Sequence, residues 1–376
     1  MQEGNFINKI KITLFIPNLG GGGAERVICN LANFIVLNKD LSAEILLMNA
    51  DFPIKYYVHP SVTIKYLNCS RTLFSLPKLV FYLKNNRQNI FLSSLTHANI
   101  VSIVAGLIVG SLDKIFVSEH ALFDLTLDAS LKDRVIRFLV KVLYPKANKV
   151  IAVSDIVKKR LIEISQISPD KILRIYNPLV LMQDEKKSFE NPKHKVMGLG
   201  KASVIISAGR FCSEKDFITL LKAMKIVIST KNQTKLILLG DGPDRELIFN
   251  TVNLLGLSEH VEMPGFSSDI HSCLVGSDLF VLSSPRESFG NVLIEAMALN
   301  IPVISTDCGG PREILENGLW GALVPIGDYR AMADAIIKSL DSNNILNTKD
   351  RVKEFSISKQ ANEYLALFFG ALDGGL

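Results

Sequence analysis

Short apolar runs alternate with longer amphipathic stretches along nearly the whole chain. The run at 11–17 (KITLFIP) has the pattern of a buried strand, and over 24–38 Val27, Ile28, Leu31 and Phe34 recur at helical spacing. The same alternation predicts strands at 44–48, 62–66, 89–95 and 114–118 and helices over 76–87 and 99–110. A strand at 150–153 leads into Ser154-Asp155, a capping signal for a helix over 156–164. After an apolar stretch at 171–176, Asn177-Pro178 turns the chain into 181–201, which is polar and charge-rich as a linker is. The alternation then restarts. Strands are predicted at 204–208, 235–239, 261–263, 279–282 and 302–305, with helices over 217–230, 244–255, 270–273, 289–299, 329–340 and 358–369. Strands separated by helices in this way imply parallel sheets covered by helices. A length of 376 residues favours two such α/β domains over one.

One helix stands apart. In 131–144 (LKDRVIRFLVKVLY), Leu131, Val135, Phe138, Leu139, Val142 and Leu143 share a face. Arg134, Arg137 and Lys141 lie on another side, and Lys146 and Lys149 continue the positive run. Either this helix covers a sheet with a solvated basic side, or it docks on a membrane surface. The charge balance bears on that choice. Residues 1–180 carry 22 Lys and Arg against 13 Asp and Glu, whereas the remainder carries 20 against 24. An anionic partner is therefore expected on the amino-terminal side only. No arginine–aromatic interleaving or nucleic-acid module is present, so an anionic membrane surface is the better partner and nucleic acid is not expected. Cys29, Cys69, Cys212, Cys273 and Cys308 form no Cys-x-x-Cys or zinc spacing, which favours free thiols in a reducing cytoplasm. No signal-peptide pattern precedes the first strand, and the apolar stretch 100–110 is too short to span a bilayer.

The densest chemistry lies in 283–318. An apolar strand ends there in a polar turn and a helix follows, which places the turn where open α/β sheets bind ligands. Glu287 sits in the turn and Glu295 in the helix. Between them the first-turn N–H groups of Phe289, Gly290 and Asn291 suit a diphosphate. One turn further on, the Glu295 carboxylate suits a vicinal diol such as ribose. The plainer alternative makes Glu295 an exposed helix residue and Glu287 a solvated turn acid. Four consecutive glycines at 20–23 form a strand-to-helix loop, but Glu25 occupies the last place of a Gly-x-Gly-x-x-Gly pattern, which disfavours a dehydrogenase. His97 and His120 each follow a strand, as cleft residues or as loop histidines. The chain contains no Asp-x-Asp and no clustered metal ligands. Arg210 and Lys215, in the loop after strand 204–208, could instead neutralise a departing diphosphate.

The segment PRESFGNVLIEAMALNIPVISTDCGGPREIL resembles the nucleotide-sugar signature of retaining glycosyltransferases of family 4, with two glutamates separated by seven residues. LGGGGAERV, SEH at 118–120, VIAVS at 150–154, YNP at 176–178, GR at 209–210, EKD at 214–216, GDGP at 240–243 and PGF at 264–266 extend the resemblance over nearly the whole chain. It implies the GT-B fold, two Rossmann-like domains facing each other across a cleft. The domains would be 1–180 for the acceptor and 181–357 for the nucleotide sugar, with 358–376 crossing back to the first.

The resemblance also implies roles. Gly22 and Gly23 would line the cleft beside the donor phosphates and the acceptor, and His120 would lie beside the donor sugar. Arg210 and Lys215 would bind the diphosphate, and Gly265-Phe266 the base. Glu287 would hold donor-sugar hydroxyls and Glu295 the ribose, with Ser288, Phe289, Gly290 and Asn291 completing the donor site. Ser288 departs from the commoner Glu-Gly-Phe-Gly, which bears on sugar preference. His120, Arg210, Lys215 and Glu287 are the catalytic candidates, with no nucleophile assigned. Gly309-Gly310 would form a second loop beside the same pocket.

The expected enzyme is a hexosyl- or N-acetylhexosaminyltransferase with no cofactor and no metal. Its donor would be a UDP-sugar and its acceptor a surface polysaccharide, a lipopolysaccharide or a lipid-linked oligosaccharide. It would work peripherally on the inner face of the cytoplasmic membrane. A nucleotide-sugar 2-epimerase and a non-catalytic sugar-binding protein of the same fold are the alternatives.

Overall fold

A computed structural model of the chain describes residues 9–123, 130–180, 202–267, 269–342 and 346–373. The predicted linker 181–201 lies outside them. The chain forms two compact units, Met1–Leu179 with Phe355–Leu376, and Val180–Glu354.

The first unit is built on strands β1 (Ile10–Phe15), β2 (Leu41–Leu47), β3 (Thr63–Tyr66), β4 (Ile90–Ser94), β5 (Ile115–Glu119), β6 (Lys149–Ala152) and β7 (Ile172–Arg174). They pair in parallel in the order β3-β2-β1-β4-β5-β6-β7. Central strands buried on both faces need near-continuous apolar sequence, which is why Ile12, Leu14, Phe15, Phe91, Leu92, Phe116 and Val117 are fully buried. The order reverses direction between β1 and β4, so their carboxyl ends open a crevice at that point. The last helix, Ile357–Asp373, packs on this unit although it ends the chain. Phe368 meets Phe116 edge-on at 5.0 Å, and Gln360 Oε1 accepts the Tyr176 backbone N–H at 2.9 Å.

The helix Leu131–Leu143 begins where Ser130 Oγ accepts the Asp133 N–H. It buries only Val140 and Leu143. Leu131, Val135, Phe138 and Val142, the face that the sheet-covering reading would bury, are 77, 49, 64 and 43% exposed. That reading is corrected: most of the apolar face points to solvent beside the basic residues.

The second unit holds β8 (Ser203–Ala208), β9 (Thr234–Leu239), β10 (Val261–Gly265), β11 (Leu279–Leu282), β12 (Val303–Thr306) and β13 (Ala322–Val324). Their order is β10-β9-β8-β11-β12-β13, again parallel. β13 was not expected from the sequence, since its three residues carry too short a pattern. Leu220 and Met224 of helix Phe217–Thr230 and Met332 and Ile336 of helix Tyr329–Asp341 share one core with Leu236 and Leu238 of β9. Here the direction reverses between β8 and β11, and the turns that carry Arg210, Lys215, Glu287 and Gly290 follow those two strands.

Candidate active site

Beyond β8 the chain makes a tight turn. Ser213–Lys215 forms one 3₁₀ turn, and Asp216, at φ +43°, caps helix Phe217–Thr230 by accepting the Thr219 N–H at 3.1 Å. This turn sends the Lys215 side chain back across Gly209. A Cβ on Gly209 would lie 3.2–3.4 Å from three carbons of that side chain, so the absent side chain makes room for the lysine stem. The loop after β9 fixes the same segment. Gly240, at φ +142°, lies so close that a Cβ on it would stand 1.9 Å from the Gly209 carbonyl oxygen, and Phe211 N donates to Asp241 O at 3.0 Å. Arg210 is exposed in this loop, and among the described residues no ion pair holds its side chain.

Beyond β11, Ser283 Oγ donates to the Lys215 carbonyl at 2.8 Å, and the Lys215 ammonium forms a hydrogen-bonded ion pair with Glu287. Ser284 Oγ donates to the same carboxylate at 3.3 Å. The two side chains are 22% and 15% exposed. Burial alone would lower the lysine's pKa. The charge and hydrogen bond of Glu287 outweigh it and hold the value above that of an ordinary lysine, so the ammonium stays charged. Lys215 and Glu287, expected on a diphosphate and a sugar respectively, are thus direct partners.

Helix Asn291–Ala298 begins two residues later than the spacing predicts. Gly290, at φ +113°, caps it in a conformation that other residues rarely adopt, and the Phe289 ring is 2% exposed. The loop after β12 seals this turn. Gly310 N donates to Glu287 O at 3.1 Å, and a Cβ on Gly310 would fall 2.5–2.7 Å from Phe289 backbone atoms. Glu295 is 0% exposed, which overturns the reading of a solvated helix acid. Ser288 and Asn291 are half-buried at the mouth of the turn. On the other side of β8, Gly265 stands at φ +94° with its carbonyl accepting Gly240 N at 2.9 Å, and the Phe266 ring is 41% exposed. Cys308 is buried, and burial pushes its thiol up to about 11, so it stays protonated at neutral pH. Together these elements offer two cations, a glycine-capped helix terminus and two carboxylates, a set suited to a diphosphate that carries hydroxyl-rich groups.

Gly22, Gly23 and His120 belong to the first unit. Gly22 caps helix Gly23–Ile35, and the Glu25 carboxylate folds back so closely that a Cβ on Gly22 would meet it at 2.2 Å. His97 is exposed in the first turn of helix Thr96–Val109. His120 follows β5, its Nε2 3.1 Å from Ser118 Oγ, and burial lowers its pKa to about 4, leaving a neutral imidazole.

The sequence reading missed the residue that holds this turn. Glu119, 0% exposed, accepts the backbone N–H groups of His120 and Ala121 at 3.0 and 2.9 Å, Thr96 Oγ1 at 3.0 Å and Tyr144 Oη at 2.5 Å. An acid closing an otherwise apolar strand was the available signal. Leu95, at φ +80°, is a strained residue where β4 ends, and periodicity gives no sign of it.

Two family models match. Residues 21–181 match the model described as Glycosyltransferase Family 4, and residues 190–358 match Glycosyl transferases group 1. The chain is 27% identical over 378 aligned residues to N-acetylgalactosamine-N,N'-diacetylbacillosaminyl-diphospho-undecaprenol 4-alpha-N-acetylgalactosaminyltransferase of Campylobacter jejuni, covering 96% of this chain and all of the relative. A second Campylobacter jejuni alpha-1,4-N-acetyl-D-galactosaminyltransferase is 25% identical, with 95% and 98% covered. Among solved structures, Anabaena HepE in complex with UDP and glucose superposes with a TM-score of 0.79 at 21% identity, covering 96% of this chain and 99% of that one. Sucrose-phosphate synthase of Thermosynechococcus elongatus gives 0.80 at 20% identity, covering 98% and 100%. At those identities the likeness establishes the fold.

Proposed function

The chain belongs to the glycosyltransferases of family 4 and group 1, with the GT-B fold, and from that membership we propose a retaining hexosyl- or N-acetylhexosaminyltransferase that uses a UDP-sugar. Its acceptor is a lipid-linked oligosaccharide or a growing surface polysaccharide. The observation that carries this reading is the Lys215–Glu287 pair at the direction reversal of the second sheet, beside the helix terminus capped by Gly290. Lys215 and Arg210 meet the charge that grows on the diphosphate as the glycosidic bond breaks. Preorganised cations stabilise such a departing charge without a metal, and the absence of Asp-x-Asp fits that division of labour. Glu287 accepts from donor-sugar hydroxyls, Glu295 from the ribose diol, and Gly265-Phe266 borders the base. His120, neutral at working pH, donates or accepts a hydrogen bond and does not supply a positive charge.

The named acceptor of the Campylobacter jejuni relative, a glycan on diphospho-undecaprenol, supports a lipid diphosphate as the anchor of the acceptor here. No helix among the described residues is long and apolar enough to cross a membrane. The exposed Leu131, Val135 and Phe138 beside Arg134 and Lys141 support docking on the cytoplasmic face of an anionic bilayer.

The test is purified protein against a panel of UDP-sugars, with bacterial lipid extract as acceptor and excess chelator present. Transfer with retained configuration is expected. Hydrolysis or epimerisation without transfer would overturn the reading, and transfer that needs added magnesium or manganese would overturn its metal-free part.

A further inference from the structure

The two turns of the candidate donor site open two short helices, and a single segment outside the site grips both helices at their far ends. Helix Asn291–Ala298 starts at Gly290, and helix Gly310–Ile314 starts where Gly310 N donates to Glu287 O at 3.1 Å. A helix of five residues supplies little of its own stability, and its last carbonyls take donors from outside it. Arg351 provides those donors. Its Nη2 donates to the Glu313 carbonyl at 2.6 Å and its Nε to the Ile314 carbonyl at 2.9 Å. Two bonds from one planar guanidinium fix direction as well as distance, and its positive charge suits the negative end of a helix. The Arg351 side chain is 9% exposed, and Glu316 balances its charge at 3.0 Å.

Thr348 grips the other helix. It precedes helix Lys349–Lys353, at the position where a threonine ordinarily accepts a first-turn N–H of its own helix, but no such bond forms. Its buried hydroxyl donates instead to the Met297 carbonyl at 2.5 Å, at the carboxyl end of Asn291–Ala298. Val352 N donates to the Thr348 carbonyl at 3.0 Å, which keeps Thr348 and Arg351 on one helical turn. Helix Gly310–Ile314 is only about 7.5 Å long, so a tilt at its Arg351 end reaches Gly310 and the Glu287 backbone almost undamped.

We propose that Arg351 and Thr348 are positioning residues for the nucleoside diphosphate: they set both turns so that Glu287, Gly290 and Gly310 stand in place before the donor binds. The proposal rests on the glycosyltransferase reading, which gives these turns a diphosphate to hold.

The test is calorimetric titration of the whole chain with UDP, well below the melting temperature of every variant. Arg351→Met is expected to weaken UDP binding roughly tenfold, the equivalent of about one charge-assisted hydrogen bond. Arg351→Lys keeps the charge but not the fork, and should recover part of that loss. Thr348→Val should weaken binding roughly threefold, as for one neutral hydrogen bond, and Thr348→Ser, which keeps the hydroxyl, should recover most of it. Ile336→Val, in the core of the second unit, is the control: it should lower Tm and leave the UDP affinity unchanged. A merely structural role predicts the control's behaviour for Arg351→Met and Thr348→Val as well, and that result would overturn the proposal. Should Arg351→Met fail to fold, the two Thr348 variants decide the matter. Wild-type protein that fails to bind UDP would bring down the transferase reading and the proposal with it, whereas wild-type binding with unmoved variants overturns the proposal alone.

Discussion

Lys215→Ala removes an ammonium that the fold holds in two ways, by its ion pair with Glu287 and by the path of its stem over Gly209. Breaking a buried pair costs about 3–5 kcal/mol, and an exposed one contributes at most about 1. With side chains 22% and 15% exposed, this pair lies between those limits. A loss near 2 kcal/mol is expected, which lowers Tm by roughly 4–8 °C in a domain of this size. The catalytic loss has a different origin. Charge on the diphosphate grows towards the transition state, so a preorganised ammonium acts more strongly there than on the bound donor. A charge-assisted hydrogen bond contributes about 1.5–3 kcal/mol, corresponding to roughly a 10- to 150-fold fall in kcat with a smaller change in KM. The Lys215→Ala/Glu287→Ala double variant separates the two effects. Deleting the orphaned carboxylate should restore about 1 kcal/mol of stability and none of the kcat. The assay is steady-state kinetics at saturating acceptor beside thermal melts of all variants. Wild-type kcat in Lys215→Ala, or kcat that recovers with stability in the double variant, would refute the role given to the lysine.

Three further outcomes are expected. His120 has its pKa lowered by burial from 6.5 to about 4, so unfolded chains take up a proton in that window that folded ones refuse. The His120 contribution to stability therefore falls as pH drops from 6.5 to about 4 and no further below, by at most about 3 kcal/mol and by less to the extent that water reaches the ring. His120→Gln should flatten that slope, and an imidazole resonance titrating near 6.5 would sink the argument. Gly310→Ala puts a methyl against the Phe289 backbone, which cannot yield cheaply, so a loss of about 1–3 kcal/mol and weaker UDP binding are expected; an unchanged melt would show that the two loops are not packed as described. Neutralising Arg134, Arg137 and Lys141 together should weaken binding to anionic vesicles by about 1 kcal/mol per charge at low salt, and undiminished binding would remove this helix from membrane attachment.

Local pattern was enough for the architecture. Fully buried parallel strands require short continuous apolar runs, and turns at their carboxyl ends are written in glycine and polar residues, so the strands of both sheets except the three-residue β7 and β13 and the turns bearing Arg210, Glu287 and Gly290 were legible along the chain. The partners of those residues were not. Lys215 and Glu287 meet across 72 positions, Gly310 closes on Phe289, and Glu119 gathers Thr96 and Tyr144, all because strands distant in sequence lie side by side in the sheets. Burial was equally beyond local reading. Periodicity says which side chains share a helix face, as it did for Leu131, Val135, Phe138 and Val142, but the pattern is the same whether that face meets a sheet or water. Only the placement of the neighbouring elements decides, and here it left those four residues exposed while enclosing the Glu295 carboxylate completely.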